Sequence, residues 1–119
     1  MEEWKTEEER EKAQKELRYD LEQKNGWERI SQEVWDLIVL YEGGTFETMR
    51  GLEFTYTVKG NEIFFSRKEK SVTRSTVDMA LKKALELGGI VKGPKKLEVF
   101  GASYIYPILI RFGIIRAQE

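Results

Sequence analysis

The 119-residue chain contains no cysteine and no histidine. Without cysteine it cannot form disulfides, thiolate zinc sites or iron–sulfur clusters, and it has no thiol nucleophile. Without histidine it also lacks the Ser-His-Asp triad and imidazole-ligated metal sites. An enzyme could still use carboxylates, lysine or tyrosine, and metal-dependent catalysis stays a distant third alternative, but we expect a protein that is not an enzyme and that uses no metal or cofactor. A binding or regulatory role becomes the leading expectation.

Long apolar runs are also missing. No stretch approaches the ~18 consecutive apolar residues of a transmembrane helix, and the charged opening over residues 1–12 lacks the apolar core of a signal peptide. These features predict a cytoplasmic protein with no membrane partner. A hydrophobic content of 40% and an aromatic content of 12% are nevertheless enough for a packed core.

The net charge of −1 hides an asymmetry along the chain. Residues 1–59 carry 15 acidic and nine basic side chains, whereas residues 60–119 carry six acidic and 11 basic ones. A basic half can bind the phosphate backbone of a nucleic acid. It can equally pair with the acidic half of the same chain or form an ordinary solvated surface, and both interpretations stay open at this point.

The N-terminal part predicts a charged helix. Thr6 and Glu9 have the spacing of a capping box, and no helix breaker follows until about Lys24. The apolar stripe of this helix is thin and consists of Ala13, Leu17 and Leu21. We interpret residues 1–24 as a charged helical arm and residues 25–119 as a single α+β domain.

A second helix is predicted over about residues 27–42. Its apolar side chains share one face, as in a core helix; they are Ile30, Val34, Leu37, Ile38 and Tyr41. Asn25 is expected to cap its start, and the glycines at 43–44 to end it.

The middle of the chain has the period of β-strands. Apolar and polar residues alternate over 54–59, and Gly60 opens a two-residue loop of the kind found in type II′ hairpins. If Lys59 faces Glu62, the apolar residues of both strands lie on one side of the hairpin. Residues 45–50 are expected to add a third strand.

The aromatic residues of this hairpin have two interpretations. Exposed aromatics on a sheet can stack the bases of a single-stranded nucleic acid. Packing in the core is the favoured interpretation for the four residues, with Phe64 as the one that could lie on the far side; they are Phe54, Tyr56, Phe64 and Phe65.

Three further elements are predicted after the hairpin. An amphipathic helix starts with Ser71 or Thr73 as its cap and ends at Gly88. Residues 90–100 suggest a second, basic hairpin, and the apolar residues 104–115 suggest a short buried helix, with residue 103 as its cap. The chain is thus expected to fold as a small α+β domain with N-terminal helices, a three-stranded antiparallel β-meander, an amphipathic helix and an apolar C-terminal helix.

Residues 70–81 resemble the start of the recognition helix of helix-turn-helix and winged-helix transcription regulators, in the segment Lys-Ser-Val-Thr-Arg-Ser-Thr-Val-Asp-Met-Ala-Leu. The resemblance covers about 12 of the 119 residues. It implies that Arg74 and Ser75 contact base edges, and that the hairpin at 92–96 is a basic wing on the phosphates. The pattern departs from that family because a β-hairpin, not a helix, is predicted before it. An amphipathic helix with a polar first turn is the alternative.

Two functions are therefore carried forward. The first is a small, non-enzymatic DNA- or RNA-binding or regulatory protein. Its predicted contacts are Arg67, Lys68, Lys70, Arg74, Ser75, Lys82, Lys92, Lys95 and Lys96. The second is a protein-interaction module or homodimer that uses the N-terminal helix or the segment 104–115, with no role in nucleic-acid binding.

Overall fold

A computed structural model describes residues 3–116, with side chains from residue 7 onward. Within this range the protein has the predicted mixed α+β fold, with four α-helices and two small antiparallel sheets. The chain divides into two compact units, residues 1–41 and residues 42–119. No helix between residues 3 and 116 combines the length and the apolar character needed to cross a bilayer.

The first unit contains helices α1 (Glu3–Glu22) and α2 (Trp27–Leu40). Helix α1 already begins at Glu3, so the prediction that Thr6 caps its start is wrong. The helix extends through the preceding residues because they have adequate helix propensity. At its other end Lys24 adopts the left-handed conformation at φ 57°, which closes the last turn.

Helices α1 and α2 are joined by one buried leucine and several polar contacts. Leu17 is fully buried. Arg10 donates through Nε to the Leu40 carbonyl at 2.9 Å, and its guanidinium lies 4.5 Å from the centre of the Tyr41 ring. The Tyr41 hydroxyl donates to Gln14 Oε1 at 2.9 Å. The thin apolar stripe of α1 is thus supplemented by hydrogen bonds.

A buried carboxylate lies at the loop between these helices. Asp20 is 1% exposed and accepts hydrogen bonds from Asn25 Nδ2 at 2.5 Å and from Arg29 Nε at 3.0 Å. Asn25 therefore binds Asp20, and the prediction that Asn25 caps α2 is wrong. Gly26 occupies the cap position, where no side chain bonds the helix amides. Burial, and then the neighbouring Asp20, raises the pKa of Glu33 to about 7.

Helix α2 is the core helix that its sequence predicts. It ends at Leu40, two residues before the expected end. Its buried apolar side chains are Ile30, Val34, Trp35, Leu37 and Ile38. Gly43, at φ 86°, follows the end of the helix as expected of a glycine stop.

The second unit contains five short strands. They are β1 (Phe46–Glu47), β2 (Glu53–Phe54), β3 (Tyr56–Lys59), β4 (Glu62–Phe65) and β5 (Val72–Thr73). Strands β1 and β2 form a two-stranded sheet, and β3, β4 and β5 form a three-stranded antiparallel meander.

The hairpin between β3 and β4 has the predicted register. Lys59 pairs with Glu62, and Tyr56 pairs with Phe65. Gly60 has the positive φ of 59° that the first position of a type II′ turn requires. The meander is confirmed, but its third strand is β5, whereas the segment 45–50 contributes β1 to the other sheet.

Aromatic rings connect the two sheets to the C-terminal part of this unit. Phe54 stacks on Phe46 at 5.7 Å and meets the edge of Phe65 at 5.8 Å, measured between ring centres. Tyr104 lies 5.0 Å from Phe54 and 5.2 Å from Phe65. Phe64 is 40% exposed on the other face of β4. Core packing is therefore the correct interpretation for the other three hairpin aromatics.

The remaining elements are helix α3 (Arg74–Glu86), a 3₁₀ helix (Pro94–Leu97) and helix α4 (Ala102–Arg111). The predicted hairpin over residues 90–100 is wrong, because Pro94 starts the 3₁₀ helix and Ile90 instead forms a bridge with Arg116. The prediction that Gly88 ends α3 is confirmed. Just beyond it, the Gly89 amide donates to the Ala84 carbonyl at 2.8 Å and closes the last turn.

Helix α4 differs from prediction at its start. Its cap residue is Gly101, and Ser103 lies inside the first turn. Pro107 is accepted within the helix although it has no amide hydrogen to donate. Burial of the apolar face compensates for the missing bond; the buried side chains of this helix are Ile105, Tyr106, Ile108 and Leu109.

The apolar C-terminal segment belongs to the core. The Tyr106 hydroxyl is buried and donates to the Val91 carbonyl at 2.5 Å. Burial raises the pKa of Tyr106. Beyond α4, Phe112, Ile114 and Ile115 are also buried. Most apolar side chains of residues 104–115 are therefore part of the core.

Candidate nucleic-acid interface

The start of α3 is fixed by its N-cap residue and by a hydrogen bond to the hairpin of the meander. Thr73 is the N-cap, and its hydroxyl accepts a hydrogen bond from the Thr76 amide at 3.3 Å. The Arg74 amide donates to the Asn61 carbonyl at 2.8 Å, which attaches the helix to the hairpin loop. Arg74 is half-buried and Ser75 is exposed.

This arrangement differs from a helix-turn-helix. In that motif a helix precedes the recognition helix by three or four residues. Here strand β5 leads directly into α3, and α2 ends at Leu40. The local sequence resemblance at residues 70–81 therefore reflects a capped amphipathic helix after a strand. The base-reading roles of Arg74 and Ser75 stay a prediction.

Two of the predicted lysines share a cleft of about 490 Å³ beside the 3₁₀ helix. Lys68 comes from the loop after β4, and Lys95 comes from the 3₁₀ helix. The wall between them includes Phe100 and Tyr104. The Lys68 ammonium lies 3.7 Å from the centre of the Phe100 ring, a cation–π contact.

A second cleft of about 250 Å³ adjoins the first and holds two more lysines. Lys82 and Lys83, both on α3, line it, and Glu98 and Val99 belong to the walls of both clefts. The segment 98–99 therefore separates two lysine-lined depressions. We call these depressions, with their lysines 68, 82, 83 and 95, the lysine clefts.

Two acidic side chains line the lysine clefts: Glu86 belongs to the second cleft, and Glu98 belongs to both. Glu98 Oε1 is 3.6 Å from Lys83 Nζ, and the Glu98 side chain is 71% exposed. Its backbone has the left-handed values φ 59° and ψ 40°, which cost energy for a residue with a Cβ. Glu98 lowers the positive charge between the clefts and pairs with Lys83.

The other predicted contacts lie outside the two clefts. Arg67 donates through Nε to the Glu53 carbonyl at 2.5 Å and so braces the loop after β4. Lys70 is exposed before β5, Lys92 is exposed before the 3₁₀ helix, and Lys96 is exposed on that helix. The structure thus brings Lys68 and Lys95 together, with Lys82 in the adjoining cleft.

The sequence-based prediction missed the aromatic member of this site. Phe100 is 53% exposed although it is a large apolar residue. The sequence pattern places it in the arm of a hairpin over residues 90–100. The available signal was its position between the Lys95-Lys96 pair and Gly101, a glycine that interrupts the apolar pattern.

The second unit carries more basic than acidic side chains. Residues 42–119 carry 13 basic and nine acidic side chains. In the described range, 3–116, no three acidic side chains are grouped closely enough to hold a metal ion. Comparisons of the chain with protein-family models, curated proteins and solved structures find no match.

Proposed function

We propose that the protein binds DNA or RNA through the basic 67–96 stretch, as a regulatory protein that catalyses no reaction. The observation that supports this proposal most directly is the pair of lysine clefts. Lysines from three separate elements, namely the loop after β4, helix α3 and the 3₁₀ helix, line two adjoining depressions. The cytoplasm remains the proposed location.

Lysine ammonium groups suit the backbone of a nucleic acid because each is a compact charge on a long stem. Neutralising phosphates releases condensed counterions, so the affinity falls steeply with salt. A dispersed solvated surface would not require lysines to converge on a recess. Their convergence is what favours a phosphate-binding role over the solvated-surface interpretation.

The test is a salt titration of binding to mixed-sequence single-stranded and duplex oligonucleotides. Lys68→Gln/Lys95→Gln and Lys82→Gln/Lys83→Gln each remove two cleft charges. We expect each pair to lower the slope of log affinity against log salt by roughly 1.4–1.8, since each of the two lost phosphate contacts contributes ~0.7–0.9. Glu98→Gln should tighten binding, because it removes the acidic group between the clefts.

The matched control is Lys12→Gln/Lys15→Gln, which removes two exposed lysines from helix α1. This variant has the same charge change and should keep the wild-type slope. An absence of binding by the wild-type protein at low salt would reject the proposal. Equal losses in the control and the cleft variants would reject the assignment to the clefts.

A protein-interaction module is the second candidate. It is supported by Tyr19, which is 61% exposed on helix α1 and lines a cleft of about 290 Å³ with Lys15 and Arg29. Removing residues 1–24 would also remove buried Leu17, so a surface variant gives a cleaner test. We expect light scattering to show a homodimer of the wild-type protein that persists in high salt. The Tyr19→Ala variant should be monomeric under the same conditions. A wild-type protein that is monomeric throughout would exclude a homodimer.

A further inference from the structure

Phe100 is held at the surface by the backbone around it. Glu98 is left-handed at φ 59°, and Gly101 is left-handed at φ 78°. A Cβ on Gly101 would lie 2.6 Å from Val72 Cγ2, so the start of α4 approaches β5 more closely than any other residue type allows. Because both ends of this turn are conformationally restricted, the ring between them is presented outward by a constrained segment.

The surroundings of this ring combine an apolar face with positive charge. Phe100 keeps 53% of its surface exposed while the Lys68 ammonium lies 3.7 Å from the ring centre. Lys95 lines the same cleft, which at about 490 Å³ falls in the size range of ligand pockets. A half-exposed aromatic ring with one ammonium over its face and a second lysine in the same cleft combines the two components, an aromatic surface and cations, that proteins use to stack a base and track its phosphates.

We propose that the cleft of Lys68, Lys95 and Phe100 binds an unstacked base of a single-stranded nucleic acid, with the base on Phe100 and the flanking phosphates on the two lysines. This inference rests on the proposed function and specifies its substrate. Bases of a duplex are stacked on each other and cannot offer a face to the ring without local melting. Duplex binding through phosphates alone is the alternative outcome.

The test measures fluorescence anisotropy with the full-length protein and three labelled probes: a 15-nucleotide mixed-sequence single strand, the matching duplex, and a single strand with abasic sugars. Phe100→Leu keeps an apolar side chain and removes the π-face. Phe64→Leu is the matched control, because Phe64 is also a partly exposed phenylalanine, on β4. Lys68→Gln/Lys95→Gln tests the charge component.

We expect the wild-type protein to bind the single strand more tightly than the duplex. Phe100→Leu should weaken single-strand binding by about 5- to 150-fold, the range for loss of one base–aromatic stack. It should leave binding of the abasic strand and the duplex unchanged. Phe64→Leu should bind every probe as the wild type does.

The outcomes separate this inference from the proposed function. If Phe100→Leu matches the wild type on the single strand while Lys68→Gln/Lys95→Gln binds more weakly, the stacking site is overturned and nucleic-acid binding stands. Equal losses on the single strand and the abasic strand would also overturn stacking. If the wild-type protein shows no salt-dependent binding to any probe, both proposals fail.

Discussion

The two units of the chain differ in net charge and in the contacts that stabilise them. Residues 1–41 carry 12 acidic and seven basic side chains, whereas residues 42–119 carry nine acidic and 13 basic ones. In the first unit, polar contacts of Arg10 and Tyr41 supplement one buried leucine of helix α1. In the second unit, clustered aromatic rings connect the sheets with helix α4.

This difference shows how composition determines what holds an element in place. A helix with few apolar residues needs hydrogen bonds and ion pairs, and those that involve the Asp20 and Glu33 carboxylates depend on protonation. An aromatic cluster excludes water without titrating, so its packing does not depend on the protonation of a side chain. We expect pH to affect the first unit and core truncation to affect the second.

The largest effect is expected from breaking the aromatic cluster. Phe54 is 2% exposed and lies against Phe46, Phe65 and Tyr104. Phe54→Ala should lower the free energy of unfolding by about 3–5 kcal/mol, measured by urea denaturation. The control is Phe64→Ala, whose side chain is 40% exposed and should cost well under half as much. Similar losses in the two variants would show that the cluster contributes no special stability.

An intermediate effect is expected from the titratable residue of the first unit. The pKa of Glu33 is about 7 in the folded protein, above its ordinary value of 4.5. The folded state therefore binds the carboxyl proton of Glu33 more tightly than the unfolded state does. The stability that protonated Glu33 contributes is fully present below about pH 4.5 and is lost as the pH rises through 7. Glu33→Gln should remove this dependence and, after allowance for solvent screening, stabilise the protein by about 1–2 kcal/mol at pH 8.

Thermal unfolding followed by circular dichroism between pH 5 and pH 8 measures this dependence. Glu28→Gln is the control, because Glu28 is an exposed acid on the same helix. It should retain the wild-type decline of melting temperature with pH. A decline of the same size in Glu33→Gln would contradict the assignment to Glu33.

The smallest effect compares one left-handed residue from each unit. Lys24 has φ 57° and Glu98 has φ 59°. Lys24→Gly should stabilise the protein by roughly 0.5–1 kcal/mol, because glycine adopts this conformation without steric strain. Glu98→Gly should gain less, because it also loses the ion pair with Lys83. Melting temperatures test this expectation. The two glycine variants are compared with Lys24→Ala and Glu98→Ala, which should not be more stable than the wild type because alanine has a Cβ.

The candidate site was only partly predictable. The sequence identified Lys68, Lys82 and Lys95 as basic residues, because charge is a property of the residue itself. It could not show that these lysines line adjoining clefts, because they belong to different elements. Phe100 was missed because its exposure depends on the turn from Glu98 to Gly101, whose conformation is set by contacts with β5.

Local signals in the sequence determined the core helix α2, the start of α3 at a cap that is Ser71 or Thr73, the glycine helix stops and the hairpin register around Gly60. These features depend on residues that are neighbours along the chain. The tertiary structure decided that β5 completes the meander, that Pro107 lies inside α4, and that the pKa of Glu33 is raised. Each of these depends on packing between residues distant in sequence, where burial and close approach outweigh local preference.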